Sequence, residues 1–223
     1  MLDAGDICGR RLLQTLGIMS EDNCLPAAYL ELAQARASHC PPPYRQPEDF
    51  QYNFRAWVSP YTKGAHAYNS IALVLQDWAS VDGLLGGHDP RIQQLGRDSE
   101  LSTNRRLARL LSCHFGKTLE QTYATNIFPW VKPGGMSARI RFREALAAAE
   151  RFASQELLLA QPIITLALGR LPSTVLNRLG IAHVSLPHPA ARISSAKTES
   201  AWANAAKALR TPSARSRVHS DDA

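Results

Sequence analysis

Four short apolar segments, each separated from the next by a helical pattern, constrain the fold more than any other feature of this sequence. They are residues 70–75, 122–127, 163–168 and 181–185. The first is apolar at nearly every position and bounded by polar residues, and the other three resemble it. This pattern is typical of strands that are buried on both faces of a parallel sheet.

Helical patterns fill the intervals between these segments. Residues 102–112, 137–160, 173–179 and 198–210 carry apolar side chains at helical spacing, and residues 26–38 form a further helix that Pro41–Pro43 end. Ser137 is a suitable N-cap for the second of these helices. The alternation predicts an α/β fold, a three-layer α/β/α arrangement with a central, mainly parallel four-stranded sheet.

Charge is distributed unevenly along the 223 residues, of which 25 are Lys or Arg and 19 are Asp or Glu. The excess of positive charge lies in residues 91–117 and 132–151. Such a basic stripe fits either a surface that binds a polyanion or an ordinary solvated helix face. The hydrophobic content of 45% argues against a disordered chain, although residues 211–223 are polar and are predicted to form a disordered tail.

Apolar runs in this sequence fall far short of the ~20 residues that a transmembrane helix needs. The acidic N-terminus lacks the apolar region of a secretory signal, so we expect a cytoplasmic protein with no membrane partner and with reduced thiols. Its cysteines, Cys8, Cys24, Cys40 and Cys113, form no C-x-x-C pair, which makes an iron–sulfur cluster an unfavoured alternative. No His lies at metal-ligand spacing from them, so no metal is predicted.

Polar side chains follow the predicted strands at the edge where parallel sheets bind ligands. Gln76, Asp77 and Trp78 follow the first segment, Asn126 lies at the end of the second, and His188 follows the fourth. A carboxylate, an amide and an imidazole should therefore meet at one edge. No nucleophile elbow, P-loop or dinucleotide-binding glycine motif competes with this site.

These residues and their order resemble the uracil-DNA glycosylase superfamily. Residues 74–79, Val-Leu-Gln-Asp-Trp-Ala, are similar to the family's first motif, Gly-Gln-Asp-Pro-Tyr-His. Residues 124–127, Ala-Thr-Asn-Ile, are similar to the middle strand that ends in Asn, and residues 188–194, His-Pro-Ala-Ala-Arg-Ile-Ser, to the last motif, His-Pro-Ser-Pro-Leu-Ser. The resemblance spans residues 70–210, and Ala79 replaces the family tyrosine that excludes thymine.

The resemblance implies a monomeric bacterial enzyme of the cytoplasm that acts on the nucleoid. It would flip uracil out of single- or double-stranded DNA and hydrolyse the N-glycosidic bond, with no cofactor. Residues 1–210 would form one such domain, with residues 1–66 as a helical and loop extension packed on it.

The resemblance also implies roles for individual residues. Asp77 would orient water and stabilise the sugar cation, and His188 would stabilise the departing uracil anion. Asn126 would read the uracil edge, and Gln76, Trp78 and His88 would complete the base pocket. Each of these residues also has a simpler interpretation: a cap or turn for the polar side chains, and a place in the core for the tryptophan.

DNA contacts are expected from Lys132, Arg139, Arg192 and Ser194. Lys132 and the following turn, leading into a helix at Ser137, would hold a phosphate through backbone N–H groups. Arg192 would either fill the gap left by the flipped base or contact a phosphate.

Two other functions remain open from the sequence. The same fold could bind uracil-containing or abasic DNA without catalysis, although a carboxylate near phosphate argues against pure binding. A small-molecule α/β hydrolase is the third possibility, but no nucleophile elbow supports it.

Overall fold

The computed structural model describes residues 27–59, 61 and 70–210. The predictions for Cys8, Cys24 and the 211–223 tail lie outside these residues. The α-helices are α1 Ala27–Ser38, α2 Val81–Leu84, α3 Pro90–Leu95, α4 Ser102–Phe115, α5 Phe142–Arg151, α6 Ala153–Ala160, α7 Arg170–Arg178 and α8 Ser195–Arg210. The strands are β1 Ile71–Asp77, β2 Tyr123–Phe128, β3 Ile164–Leu168 and β4 Val184–Leu186, and Pro47–Phe50 and Leu119–Gln121 form 3₁₀ turns.

The four strands form one parallel sheet in the order β2-β1-β3-β4. In β1, Leu75 pairs with Asn126 of β2, and Val74 pairs with Ala167 of β3. Strand β1 is therefore central, and its C-terminal residues Gln76 and Asp77 emerge at the middle of the ligand-binding edge. The predicted α/β class and the parallel four-stranded sheet are confirmed.

Helices cover both faces of the sheet. On one face, α1, α5, α6 and α7 bury an apolar cluster that includes Tyr29, Ala149 and Val175. On the other face, α4 and α8 pack through Leu107 and Trp202 against β1 and β3. Each of these six helices buries residues along one side, so the hydrophobic effect holds the three layers together.

A buried ion pair fixes α1 and the following loop to this body. The Arg36 guanidinium donates to the Glu156 carboxylate (2.7 Å) and to the carbonyl oxygens of Trp57 (2.7 Å) and Val58 (2.5 Å). Glu156 also accepts a hydrogen bond from the Thr125 hydroxyl. This network ties α1 and the following loop to β2 and α6. Removing one partner of the ion pair would be strongly destabilising, because it would leave a buried charge unpaired.

The prediction of one helix over residues 137–160 is wrong in two respects. Residues 133–141 form a loop, in which Gly134 has a φ of +75° and Ala138 donates its N–H to Gly135 O, so the helix begins at Phe142 and Ser137 caps nothing. A second break falls at Phe152, whose φ of −119° and ψ of −65° separate α5 from α6. The Phe152 ring at this break packs against the Trp130 ring.

The fourth strand is shorter than the predicted 181–185. The Ile181 N–H donates to Leu176 O and the Gly180 N–H to Asn177 O, so these groups close the end of α7 and cannot pair with β3. Helices α2 and α3 were not predicted, because each is only four to six residues long. Within the described residues, none of the helices has the length and apolar character needed to cross a bilayer.

Candidate active site

A cavity of about 600 Å³ opens at the carboxyl edge of the sheet. Gln76, Asp77 and Trp78 from the end of β1 line it, together with His188 from the loop after β4. The structure therefore brings four of the predicted residues to one cavity. Most of the remaining wall comes from Tyr61, from other residues at the end of β1, from α2 and α3, from the α3–α4 connection and the start of α4, and from the 133–141 loop.

Both carboxylate oxygens of Asp77 have a donor beside them. Gln76 Nε2 donates to Oδ1 at 2.8 Å, and Lys132 Nζ lies 2.9 Å from Oδ2. Only 9% of the Asp77 side chain is exposed. Tyr61 also lines this cavity, and burial followed by the charge of Asp77 raises the pKa of its phenol. Because each carboxylate oxygen has two lone pairs and only one of these donors beside it, Asp77 can still accept a hydrogen bond from a ligand or a water molecule.

Lys132 is not placed to bind a phosphate, contrary to the prediction. Its side chain is only 2% exposed, and its ammonium also donates to Met136 O at 2.7 Å. The peptide backbone of Lys132 bonds to Ala79 O and Val81 N, just after β1, which directs the side chain toward Asp77. The predicted phosphate site at a helix start disappears as well, because no helix begins at Ser137.

His188 presents its Nε2 as the hydrogen-bond donor. The Ala190 N–H donates to Nδ1 at 3.1 Å, so the neutral ring carries its proton on Nε2. Burial lowers the pKa of His188, the Asp77 charge acts in the opposite direction, and Lys132 lowers it further. The imidazole is therefore kept neutral near pH 7.

Gly169, at the end of β3, allows the His188 loop to approach the sheet. Its φ is +105°, and a Cβ at this position would lie 3.3 Å from His188 Cβ. On the other side of the loop, Arg106 of α4 donates to Pro189 O at 2.9 Å and to the Thr198 hydroxyl at 3.2 Å. Two elements thus fix the position of His188.

Trp78 belongs to both the core and the cavity wall. Its indole Nε1 donates to Gly96 O at 2.8 Å, and its ring meets those of Tyr52 (5.4 Å) and Phe54 (5.1 Å) edge to face. The indole is consequently a rigid surface against which a planar ligand could pack.

Asn126 lies on β2 beside Leu75, which lines the cavity, but Asn126 itself is not part of the lining. It is 3% exposed, and among the described residues neither its Nδ2 nor its Oδ1 has a hydrogen-bond partner. Leaving such a group unsatisfied costs about 1–3 kcal/mol. A cost of this size in a native core indicates a functional constraint or an unseen partner.

The remaining predicted residues lie outside the cavity. His88 is exposed, and its ring contacts the Tyr52 ring at 4.9 Å, so it lies outside the cavity lining. Arg139 and Arg192 are exposed, on the 133–141 loop and the loop after β4. Ser194 is exposed as well, and its hydroxyl accepts a hydrogen bond from the Lys197 N–H at the start of α8, which is a capping role.

Sequence reasoning missed Arg97, Asn104 and Met136, which also line the cavity. Arg97 pairs with Glu120, and Asn104 Nδ2 donates to Asp98 O at 2.7 Å. None of these residues lies at a strand end, so the strand-end rule could not select them.

Among the described residues, no group of three or more His, Cys, Asp or Glu side chains is arranged to hold a metal ion. Two of the four cysteines are described. Cys113 is exposed on α4, and burial, followed by the charges of Asp49 and Glu48, raises the pKa of Cys40 to about 11. Cys40 is therefore a thiol rather than a thiolate at neutral pH.

Comparison of the sequence with protein-family models and with curated proteins finds no match.

Proposed function

We propose that this protein is a uracil-DNA glycosylase, which flips uracil out of DNA and hydrolyses its N-glycosidic bond to leave an abasic site. The observation that carries the proposal is that Asp77, at the end of β1, and His188, on the loop after β4, line one cavity. Cleavage of this bond develops positive charge on the sugar and negative charge on the base. A buried carboxylate and an imidazole N–H donor match these two charges.

His188 suits the leaving group in its neutral form. Its Nε2–H would donate to the developing anion at the uracil O2, and Nδ1 is already fixed by Ala190. Because the donor is pre-oriented, it stabilises the transition state without reorganisation.

Asp77 would act from the sugar side. Its carboxylate stabilises the sugar cation and orients the attacking water through lone pairs that Gln76 and Lys132 do not use. Trp78 would support the plane of the base, in agreement with its fixed indole.

Asn126 would distinguish uracil from cytosine through its amide, which donates to O4 and accepts from N3–H. The two unpartnered amide atoms support this role. Since Asn126 does not line the cavity, the base would have to penetrate past Leu75, and this contact remains a prediction.

The alternative is a protein that binds uracil-containing or abasic DNA without cleaving it. The Asp77–Lys132 pair favours this alternative to some degree, because a neutralised carboxylate repels phosphate less. The two functions can be told apart by one product, because only the glycosylase releases the free base.

The deciding experiment incubates the protein with uracil-containing oligonucleotides, single-stranded and duplex, and then cleaves abasic sites with alkali. Strand breakage that requires uracil, and that Asp77→Asn reduces by at least 100-fold, supports the proposal. His183→Ala and Asp49→Asn, which alter a histidine at the opposite end of β4 and an exposed carboxylate, are the controls. Tight binding without any breakage would establish the non-catalytic alternative instead.

A further inference from the structure

We propose that Lys132 is a positioning residue for the reaction at this cavity, whose buried ammonium holds the Asp77 carboxylate in an ion pair and fixes the 133–141 loop beside it. This inference rests on the proposed function for its catalytic consequence. Its structural content can be tested without activity.

Lys132 joins two parts of the cavity through one nitrogen atom. Nζ lies 2.9 Å from Asp77 Oδ2 and donates to Met136 O at 2.7 Å. Met136 lines the cavity, and its Sδ packs 3.3 Å from the position that a Cβ on Gly83 would occupy. The carboxylate at the end of β1 and the loop that forms the opposite wall are therefore held by the same donor.

The backbone of Lys132 restricts where this nitrogen can go. Its N–H donates to Ala79 O at 3.3 Å and its carbonyl accepts from the Val81 N–H at 2.9 Å. Lys132 thus forms a parallel bridge with Ser80, three residues after Asp77. The backbone N–H and carbonyl of Lys132 are thus both bonded, and its side chain is buried, so the ammonium loses little further freedom when it binds the Asp77 carboxylate.

Several charged or titratable groups face Asp77 from the surrounding elements. His188 lies on the loop after β4, Tyr61 precedes β1, and Arg97 and Asp98 come from the α3–α4 connection. Among the described residues, Lys132 is the only cation within ion-pair distance of the Asp77 carboxylate. A carboxylate with 9% of its side chain exposed is costly to ionise without such a partner.

Lys132 also acts on His188. Burial is the main cause that lowers the pKa of His188, and the charge of Lys132 adds to it, whereas Asp77 opposes it. The same cation thus pairs with the Asp77 carboxylate and favours a neutral His188, which is the arrangement that the proposed chemistry needs.

The two effects of Lys132 should separate in kinetics. Loss of the Lys132 charge removes one cause that lowers the pKa of His188, so the imidazole protonates at a higher pH, which appears on the acid side of the pH–rate profile. Loss of the bond to Met136 O loosens a cavity wall, which appears mainly in KM. A residue with a merely structural role would lower activity equally at every pH.

The first experiment measures uracil release between pH 5 and 9 for the parent, Lys132→Met and Lys132→Gln. We expect the acid-side midpoint to rise in both variants, with a smaller deficit at alkaline pH. Lys117→Met removes the same charge from an exposed position before β2, at the opposite end of the sheet, and should leave the profile unchanged. Parallel profiles for Lys132→Met and the parent would overturn the proposal.

The second experiment needs no activity. NMR titration of the His188 ring should show its midpoint moving upward in Lys132→Met relative to the parent, because Lys132 is one of the causes that lower the pKa of His188. An unmoved midpoint would contradict the proposal, whereas a parent that releases no uracil would contradict only the proposed function.

A variant that does not fold is also informative. If Lys132→Met fails to fold, the double variant Lys132→Met/Asp77→Leu removes both buried charges. We expect it to recover a cooperative thermal transition, because replacing a whole buried pair by apolar groups is often neutral. Failure of the double variant to fold would show that Lys132 supports the loop without acting through Asp77, and would refute the proposal.

Discussion

Arg106 of α4 donates a hydrogen bond to the carbonyl oxygen of Pro189, at 2.9 Å, and so fixes the loop that carries His188. The donor and acceptor are 83 positions apart in the sequence. The orientation of the imidazole therefore depends on the packing of α4 against α8, and not on the His-Pro motif alone.

Arg106→Gln should reduce uracil release by about tenfold to 100-fold, because a misoriented donor loses most of its transition-state stabilisation. The change should fall on kcat more than on KM, which single-turnover rates at saturating protein would show. Arg178→Gln, at the exposed end of α7, is the matched control. If Arg106→Gln raised only KM, Arg106 would be a DNA contact and not a support for His188.

His188 should make the protein less stable in mild acid. The folded-state pKa lies below the ordinary value, with burial as the first cause, so below about pH 6.5 the unfolded chain binds a proton that the folded chain resists. Protonation would also break the bond from Ala190 N–H to Nδ1.

The free energy of unfolding should therefore fall as the pH decreases from about 6.5 to 5, and His188→Gln should flatten that slope. Urea denaturation at several pH values measures this difference. Equal slopes in the parent and the variant would contradict this prediction, because they would mean that His188 has the same pKa in the folded and the unfolded chain.

Asn126→Leu should stabilise the fold and abolish base recognition. Leucine has a similar shape and removes two buried, unpartnered polar atoms, so we expect a gain of about 1–2 kcal/mol in the free energy of unfolding. The same change removes the amide that would read uracil, so release should fall by at least 100-fold.

Asn126→Asp tests the recognition itself. A carboxyl group at this site should weaken uracil reading and admit cytosine, measured as the ratio of uracil to cytosine release. An unchanged ratio would remove Asn126 from the base pocket.

Replacing Arg139 and replacing Arg192 should have different effects on the salt dependence of binding and on the preference for single-stranded or duplex DNA. Arg139→Ala should weaken binding to any DNA and reduce the slope of log K against log salt by about 0.9 on duplex DNA. Arg192→Ala should impair release from duplex more than from single strands, because only a duplex leaves a gap to fill. If Arg192→Ala affected both substrates equally and shifted the salt slope by about one, it would be a phosphate contact.

The sequence predicted the sheet and the location of Asp77, because β1 is a buried apolar strand whose end is fixed by local pattern. It could not predict the partner of Asp77. Lys132 reads as an exposed basic residue in a basic segment, but in the folded chain it forms a bridge with Ser80 and is 1% exposed.

Two further predictions failed for related physical reasons. Ser137 satisfies the local preference for an N-cap, but the residues before it form a loop in which the Lys132 ammonium donates to Met136 O. His88 follows two glycines and lies near the family position in sequence, yet the ring contact with Tyr52 places it outside the cavity. The contact of His88 with Tyr52 is long-range, and the Lys132 backbone is held by long-range bonds to Ala79 O and the Val81 N–H, so neither position leaves a local signal.

The immobile indole of Trp78 gives this protein an intrinsic optical probe of its own cavity. The chain has four tryptophans, and the other three, Trp57, Trp130 and Trp202, are buried away from the cavity lining. A ligand that enters the cavity touches one fluorophore and leaves three as an internal reference. Occupancy can therefore be followed by emission from unlabelled protein, with Trp78→Phe assigning the signal.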